Sequence, residues 1–155
     1  MARFVYRMQS VLNIKQKTEG QIKMEFAEAQ AELNRQIDIL NEYVDRKEKY
    51  LQEAEELRNE ASLKLQDILD NQYATAQMDS MIVAQLKIVR KQEAEVEKVR
   101  IRLTRAIQER KMQETLRDRA FAEYLEEEKQ EEAKETDQRT SFTYTKRQRE
   151  NASEE

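Results

Sequence analysis

The side chains that could most readily do chemistry are a group of closely spaced glutamates, Glu126, Glu127, Glu128, Glu131 and Glu132. Neighbouring carboxylates could bind a divalent cation or act as an acid–base pair. Hard cations, however, need oxygens that converge on them from several directions. Acids this close along one segment more often form a solvated helix face. We therefore interpret the group as solvated surface and predict no metal site.

Catalysis is further limited by the residue types that are missing. The 155 residues include no His, Cys or Trp, and Gly20 is the only glycine. There is thus no imidazole base, no thiolate nucleophile and no ordinary zinc ligand set. A phosphate-binding loop needs several glycines. The sequence predicts a protein that is not an enzyme and that binds no cofactor and no small-molecule substrate.

The composition indicates long helices rather than a compact globular core. Charged residues make up 39% of the chain and aromatic residues 6%, which is unsuited to the interior of an α/β or all-β domain. Ala, Glu, Lys, Leu and Arg supply about half of all residues, as in coiled coils. The absence of a long apolar run predicts a soluble intracellular protein, and the net charge of −4 argues against a general nucleic-acid binder.

Two stretches of apolar residues with helical spacing define the predicted fold. One runs from Ile22 to Ile68 and the other from Ile82 to Tyr124, mostly in steps of three and four. Consecutive four-residue steps near Leu33 and Ile37 predict a break in the heptad pattern there. The fold class is therefore all-α, a long two-helix antiparallel coiled-coil hairpin with a frayed or disordered C-terminal tail.

The boundaries follow from a polar segment, DNQYATAQMDS, at residues 70–80, whose side chains could compete with helical hydrogen bonds. We predict a turn there, helix 1 over about 2–70 and helix 2 over about 80–138. Residues 1–138 would form the coiled coil and 139–155 a flexible tail. Facing residue numbers would then add to roughly 150. Residues 42–60 (net −3) would face residues 90–108 (net +3), and the opposite signs agree with this pairing.

Several features leave alternatives open. Residues 1–18 carry bases but no acid before position 19 alongside apolar residues, a pattern typical of a helix on a membrane surface or against a protein partner. Tyr43, Tyr50 and Tyr73 could fill the helix–helix seam or act as binding residues. A generic coiled-coil scaffold or adaptor, including one that pairs between chains, and a membrane-surface protein are the alternative functions.

Both ends of the sequence resemble the flagellar FliJ family. The residues that carry the resemblance are the opening FVYRMQSVLNIKQKTE, from Phe4, and the later segment ERKMQETLRDRAFAEYLEEEKQEEAKETDQ, from Glu109. Together they span nearly the whole chain. The family's acidic segment often closes with Asp-Glu, whereas this chain has Asp137 and Gln138.

The resemblance implies a non-enzymatic component of the flagellar type III export apparatus. Such proteins are antiparallel coiled coils that act as a central stalk in the hexameric export ATPase FliI, contact the export gate protein FlhA and bind export chaperones. The implied location is cytoplasmic and peripheral, at the inner membrane. By family position, the ATPase-facing residues would be Phe4, Tyr6, Arg7, Leu12, Arg110, Lys111 and Arg119. The gate-contacting residues would be Tyr43, Ile82 and Leu86.

Overall fold

The computed structural model describes residues 3–154 and consists of two long α-helices. Helix α1 spans Gln9–Asn59 (51 residues) and helix α2 spans Leu65–Ser153 (89 residues). Residues 60–64 connect them. The predicted all-α two-helix hairpin is thereby confirmed. Neither helix contains, among the described residues, a stretch long and apolar enough to cross a bilayer.

The chain divides into two compact units, and each helix contributes to both. The terminal unit comprises the residues up to Lys17 together with those from Gln108 onward. The hairpin unit comprises Thr18–Ile107.

The predicted turn at residues 70–80 was wrong, because this segment is helical and the connection lies at residues 60–64. The polar side chains that suggested a turn bond in other ways. The Asn71 amide donates across to the backbone carbonyl of Tyr50 at 2.9 Å. The Thr75 hydroxyl donates to the carbonyl of Asn71, four residues back, at 2.9 Å. Neither competes with the helical ladder, so α2 continues through the segment. The predicted helix start near residue 2 was also early, since α1 begins at Gln9.

The register of the hairpin unit differs from the predicted one accordingly. Three amides of α2 donate to backbone carbonyls of α1, pairing Asn71 with Tyr50, Gln85 with Gln36 and Gln92 with Ala29. In each pair the residue numbers add to 121 rather than 150. Residues 42–60 therefore lie near residues 61–79, which are also acidic. The complementary charge of residues 90–108 does not determine the register.

The heptad pattern continues through the region of Leu33 without a break. In α1 every seventh residue from Leu12 to Ala54, and every seventh from Lys15 to Leu57, is buried or half-buried. In α2 the same holds from Ile68 to Arg110 and from Asn71 to Ala120. The predicted break near Leu33 was wrong because polar residues occupy several heptad positions, so a count of apolar residues alone misses part of the seam.

The core is a thin seam made of these heptad positions. The residues classed as buried are Leu12, Ile22, Leu33, Met78, Val89 and Ala106, with the polar Glu19, Asn71 and Gln85. Each of them lies in one of the four heptad series. Across residues 3–154, every buried side-chain nitrogen or oxygen has a hydrogen-bond partner. The polar seam residues therefore reside in the interior without unsatisfied groups.

The predicted disordered tail was also wrong, because α2 remains helical to Ser153 although every described residue from 129 onward is exposed. The segment lacks Gly and Pro and is rich in Glu, Lys, Arg and Gln, which are good helix formers. Threonine hydroxyls donate to carbonyls four residues back, as at Thr136, Thr140 and Thr143. A polar composition of this kind suits a solvated helix as well as a disordered chain.

Replacing Gly20 with Ala is expected to stabilise the protein. Helix α1 passes through Gly20, and a Cβ added there would meet nothing within 4 Å. Gly20→Ala should raise the free energy of unfolding by about 0.8–1 kcal/mol, measured by urea unfolding followed by circular dichroism. The matched control, Ala27→Gly at an exposed position of the same helix, should lower it by a similar amount. An unchanged or lower stability of Gly20→Ala would contradict the expectation.

Candidate partner-binding surfaces

An aromatic cluster fixes the start of the chain in the terminal unit. The ring centroid of Phe4 lies 5.1 Å from that of Phe121, edge to face, and 5.3 Å from that of Tyr124. Phe121 and Tyr124 are three residues apart on α2 and therefore present their rings on one side of the helix. Edge-to-face and tilted ring contacts add to the free energy of burial. The cluster thus holds residues 3–8, which are not helical, against α2.

Polar contacts extend this attachment. The Tyr6 hydroxyl donates to Oε1 of Gln113 at 3.4 Å, and the Lys15 ammonium lies 2.9 Å from a carboxylate oxygen of Glu109. The backbone N–H of Gln9 donates to the backbone carbonyl of Tyr6 at 3.1 Å, where α1 begins. Beneath these contacts, Leu12 is 0% exposed. Both apolar and polar groups therefore position the N-terminal segment.

The seven residues assigned to ATPase contact by the resemblance all lie in the terminal unit, but their side chains divide into two groups. Four are engaged in packing or pairing: Phe4, Tyr6, Leu12 and Arg110, whose guanidinium lies 2.8 Å from Glu114. Arg7, Lys111 and Arg119 are exposed. The cations of the second group are the members of this set available to a partner.

Exposed apolar side chains accompany these cations on α2. Met112 and Leu116 are both exposed, and with Arg119 they follow one another at steps of four and three residues along one helix face. This face lies away from the heptad positions 110, 113, 117 and 120. We call Lys111, Met112, Leu116 and Arg119 the terminal surface. Sequence reasoning missed its two apolar members because they lie outside the seam.

The three residues assigned to gate contact lie in the hairpin unit. Lys47 Nζ is 2.6 Å from Asp79. Tyr43 and Ile82 each lie about one turn farther from the connection than this ion pair, so the pairing places them opposite each other on the two helices. Both are half-buried at heptad positions, whereas Leu86 is 37% exposed and outside the seam. The structure therefore brings Tyr43 and Ile82 into the seam and leaves Leu86 accessible.

A further apolar surface lies near the connection, and of its members the sequence analysis singled out Tyr73 alone, as a seam or binding residue. Leu65, Leu69 and Tyr73 are exposed and recur every four residues along α2. Beside them the helices form a shallow groove lined by Leu51 and Ile68, among others. Because the turn was placed at residues 70–80, these residues were divided between a helix end and a loop. Steps of four residues outside the seam are the signal that could have identified them.

The surroundings of Tyr124 favour the neutral form of its phenol. Partial burial raises the pKa of the Tyr124 phenol, and the carboxylate of Glu128, which also bonds it, raises that pKa further. Both effects stabilise the phenol relative to the phenolate. In the hairpin unit, a hydrogen bond from Arg100 lowers the pKa of Glu97. Within residues 3–154, no three acidic side chains converge so as to hold a metal ion.

Comparison with known proteins gives one family. The family model described as flagellar FliJ protein matches residues 4–149. No curated protein and no solved structure matches the chain significantly. The matched region includes both units and every residue of the two candidate contact sets.

Replacing Leu12 should destabilise the protein, whereas replacing the nearby exposed Ile14 should not. Because Leu12 is fully buried, Leu12→Ala should lower the free energy of unfolding by about 2–5 kcal/mol. Ile14→Ala, two residues away and 61% exposed, should change it by less than about 0.5 kcal/mol. Urea unfolding of both variants is the measurement. Equal midpoints for the two variants would show that Leu12 is not part of the core.

Removing the ring of Phe121 should release the start of the chain. Phe121→Ala removes one of the two ring contacts of Phe4 and is expected to speed amide hydrogen exchange at Gln9 by about tenfold. Phe142→Ala, which removes an exposed ring elsewhere on α2, serves as the control and should leave the exchange of Gln9 unchanged. Unaltered exchange in Phe121→Ala would mean that the cluster does not hold residues 3–8.

Proposed function

This chain belongs to the flagellar FliJ family, and we propose that it acts as the stalk-like coiled coil that binds the hexameric export ATPase FliI and promotes its assembly or activity. The family is a non-enzymatic component of the flagellar export apparatus. The match over residues 4–149 is the observation that carries the proposal. ATP hydrolysis belongs to the partner.

The terminal unit offers the chemistry for ATPase contact. Arg7, Lys111 and Arg119 are exposed there, and the last two adjoin the apolar Met112 and Leu116. A surface that combines exposed cations with exposed apolar side chains suits a partner with acidic groups around apolar positions, because charge steers the encounter and apolar burial supplies affinity. Phe4 and Leu12 act indirectly by holding this unit together.

The hairpin unit supplies the proposed contacts with the export gate protein FlhA and with export chaperones. Leu86 is accessible, while Tyr43 and Ile82 shape the seam beneath it. The exposed row of Leu65, Leu69 and Tyr73 favours a second apolar contact, since aromatic and leucine side chains on one helix face are common anchors at interfaces. A general adaptor role would use the same row, and is the alternative.

Binding to a membrane surface is the weaker alternative for residues 3–18. Two of the largest apolar side chains of this segment, Phe4 and Leu12, face α2 and are not available to lipid. An amphipathic helix binds a bilayer through just such a face. We therefore propose that the chain reaches the cytoplasmic face of the inner membrane through its protein partners.

Titrating the purified export ATPase with this protein tests the proposal. A saturable increase of the hydrolysis rate is expected at fixed salt. The double variant Lys111→Glu/Arg119→Glu should raise the half-saturating concentration of this protein by about tenfold or more, because charges that attracted the partner now repel it. The control is Lys87→Glu/Lys91→Glu, with the same charge change at exposed positions of the hairpin unit.

Circular dichroism establishes that both variants are as helical as the parent. If the parent does not change the hydrolysis rate, the ATPase role fails, while contact with the gate or with chaperones is still open to the hairpin unit. If the two double variants lose stimulation equally, the terminal surface is not the contact.

A further inference from the structure

Beyond the residues that the N-terminal segment covers, a second seven-residue spacing can be followed on α2 from Phe121 and Tyr124. Tyr124 continues the series of Ile68, whereas Phe121 lies one residue after Ala120 of the other series, so the pattern shifts by one residue here. From Phe121 the seven-residue spacing leads to Glu128, Glu135, Phe142 and Arg149. From Tyr124 it leads to Glu131, Gln138 and Thr145. Together these positions alternate in steps of three and four residues, which is the pattern of a coiled-coil seam. We call residues 128, 131, 135, 138, 142, 145 and 149 the open seam.

Beyond Glu128, no described residue of the terminal unit covers this seam. Glu128 is half-buried, and every described residue after it is exposed. Phe142, at the middle of the distal half, is 72% exposed. Most helical stability in proteins comes from packing of one face, and this stretch of α2 has no such packing among the described residues. A helical seam with an exposed aromatic ring is therefore suited to a second helix.

The charge pattern of the seam indicates which helix this is. Residues 126–137 have a net charge of −5, and residues 139–149 have a net charge of +4. The same asymmetry holds in the seam, with acids at Glu131 and Glu135 and bases at Arg149 and the flanking Lys146. A parallel copy would place like charges together. An antiparallel copy would place each acidic half against a basic half, so this segment is complementary to itself.

We propose that residues 128–149 form an antiparallel, two-fold symmetric pair with the same segment of a second copy of this chain, centred near residue 140. In this register Glu131 faces Arg149 and Gln138 faces Phe142 of the other copy, and Glu135 faces Thr145, beside Lys146. Each Phe142 lies within about one helical turn of the two-fold symmetry axis, which passes near residue 140. Each acid–base contact occurs twice because of the symmetry. The pair goes beyond the proposed export function and does not depend on it.

The small apolar area of the open seam makes this association weak. One aromatic residue per copy and a mostly polar seam give an interface well below the standard area of about 1,600 Å². Exposed ion pairs contribute little each and are screened by salt. Dimers should therefore form reversibly, at high protein concentration and low ionic strength.

Sedimentation equilibrium of the full chain, from about 5 to about 500 μM at low salt, measures this directly. The mass is expected to rise from the monomer value of 18.6 kDa toward twice that value, and less so at high salt. Phe142→Ala should weaken association about tenfold. Tyr144→Ala removes an aromatic side chain that is 63% exposed but outside the open seam, and should have little effect.

The register is tested by exchanging charges. Glu131→Lys/Glu135→Lys and Lys146→Glu/Arg149→Glu should each abolish self-association, because acidic or basic groups then face their like. A mixture of the two variants should associate, since every contact across that pair is again between opposite charges. Circular dichroism of each variant shows whether α2 has stayed helical.

Several outcomes would overturn the proposal. These are a parent chain that stays monomeric throughout, an equal loss in Phe142→Ala and Tyr144→Ala, and a mixture of charge variants that does not associate. Binding of a monomeric parent to vesicles of anionic lipid, lost in Lys146→Glu/Arg149→Glu, would instead assign the basic half to a membrane surface.

Discussion

Three side-chain amides determine how the two helices of the hairpin unit align. Apolar seam residues repeat every seven positions, so a shift by one heptad would bury similar groups. The amides of Asn71, Gln85 and Gln92 instead require particular carbonyl acceptors on α1. They are separated by multiples of seven residues and occupy one heptad series. Polar groups at these positions lower the apolar content of the seam but define a single alignment, as buried Asn does in other coiled coils.

The fold class followed from composition and periodicity, because helical spacing over many turns and a scarcity of aromatic residues leave few other architectures. The position of the turn did not follow. Asn71 and Thr75 have the same side chains in a turn and in a helix, and only the partners that they find across the seam or one turn back distinguish the two. The tail was misjudged because solvated helices and disordered chains share charged residues without an apolar stripe.

The candidate contacts show a similar division. The residues assigned by the resemblance all lie within single units, but exposure could not be predicted for each. The resemblance assigns Leu12 and Arg110 the same role, and only packing shows that Leu12 fills the seam whereas Arg110 pairs with Glu114. The row of Leu65, Leu69 and Tyr73 became visible as a surface once the connection was placed correctly.

The short connection at residues 60–64 has a consequence for the order in which the protein folds. Asn71 and Tyr50 are separated by 21 residues, whereas Tyr6 and Gln113 are separated by 107. Loop closure costs least for the nearest pairs, so pairing should nucleate beside the connection and extend outward like a zipper. The contacts of the terminal unit are then the last to form and the first to open. The terminal unit, to which we assign ATPase contact, is therefore also the unit with the least kinetic protection against local unfolding. A partner that binds it would stabilise the helix–helix contacts that form last.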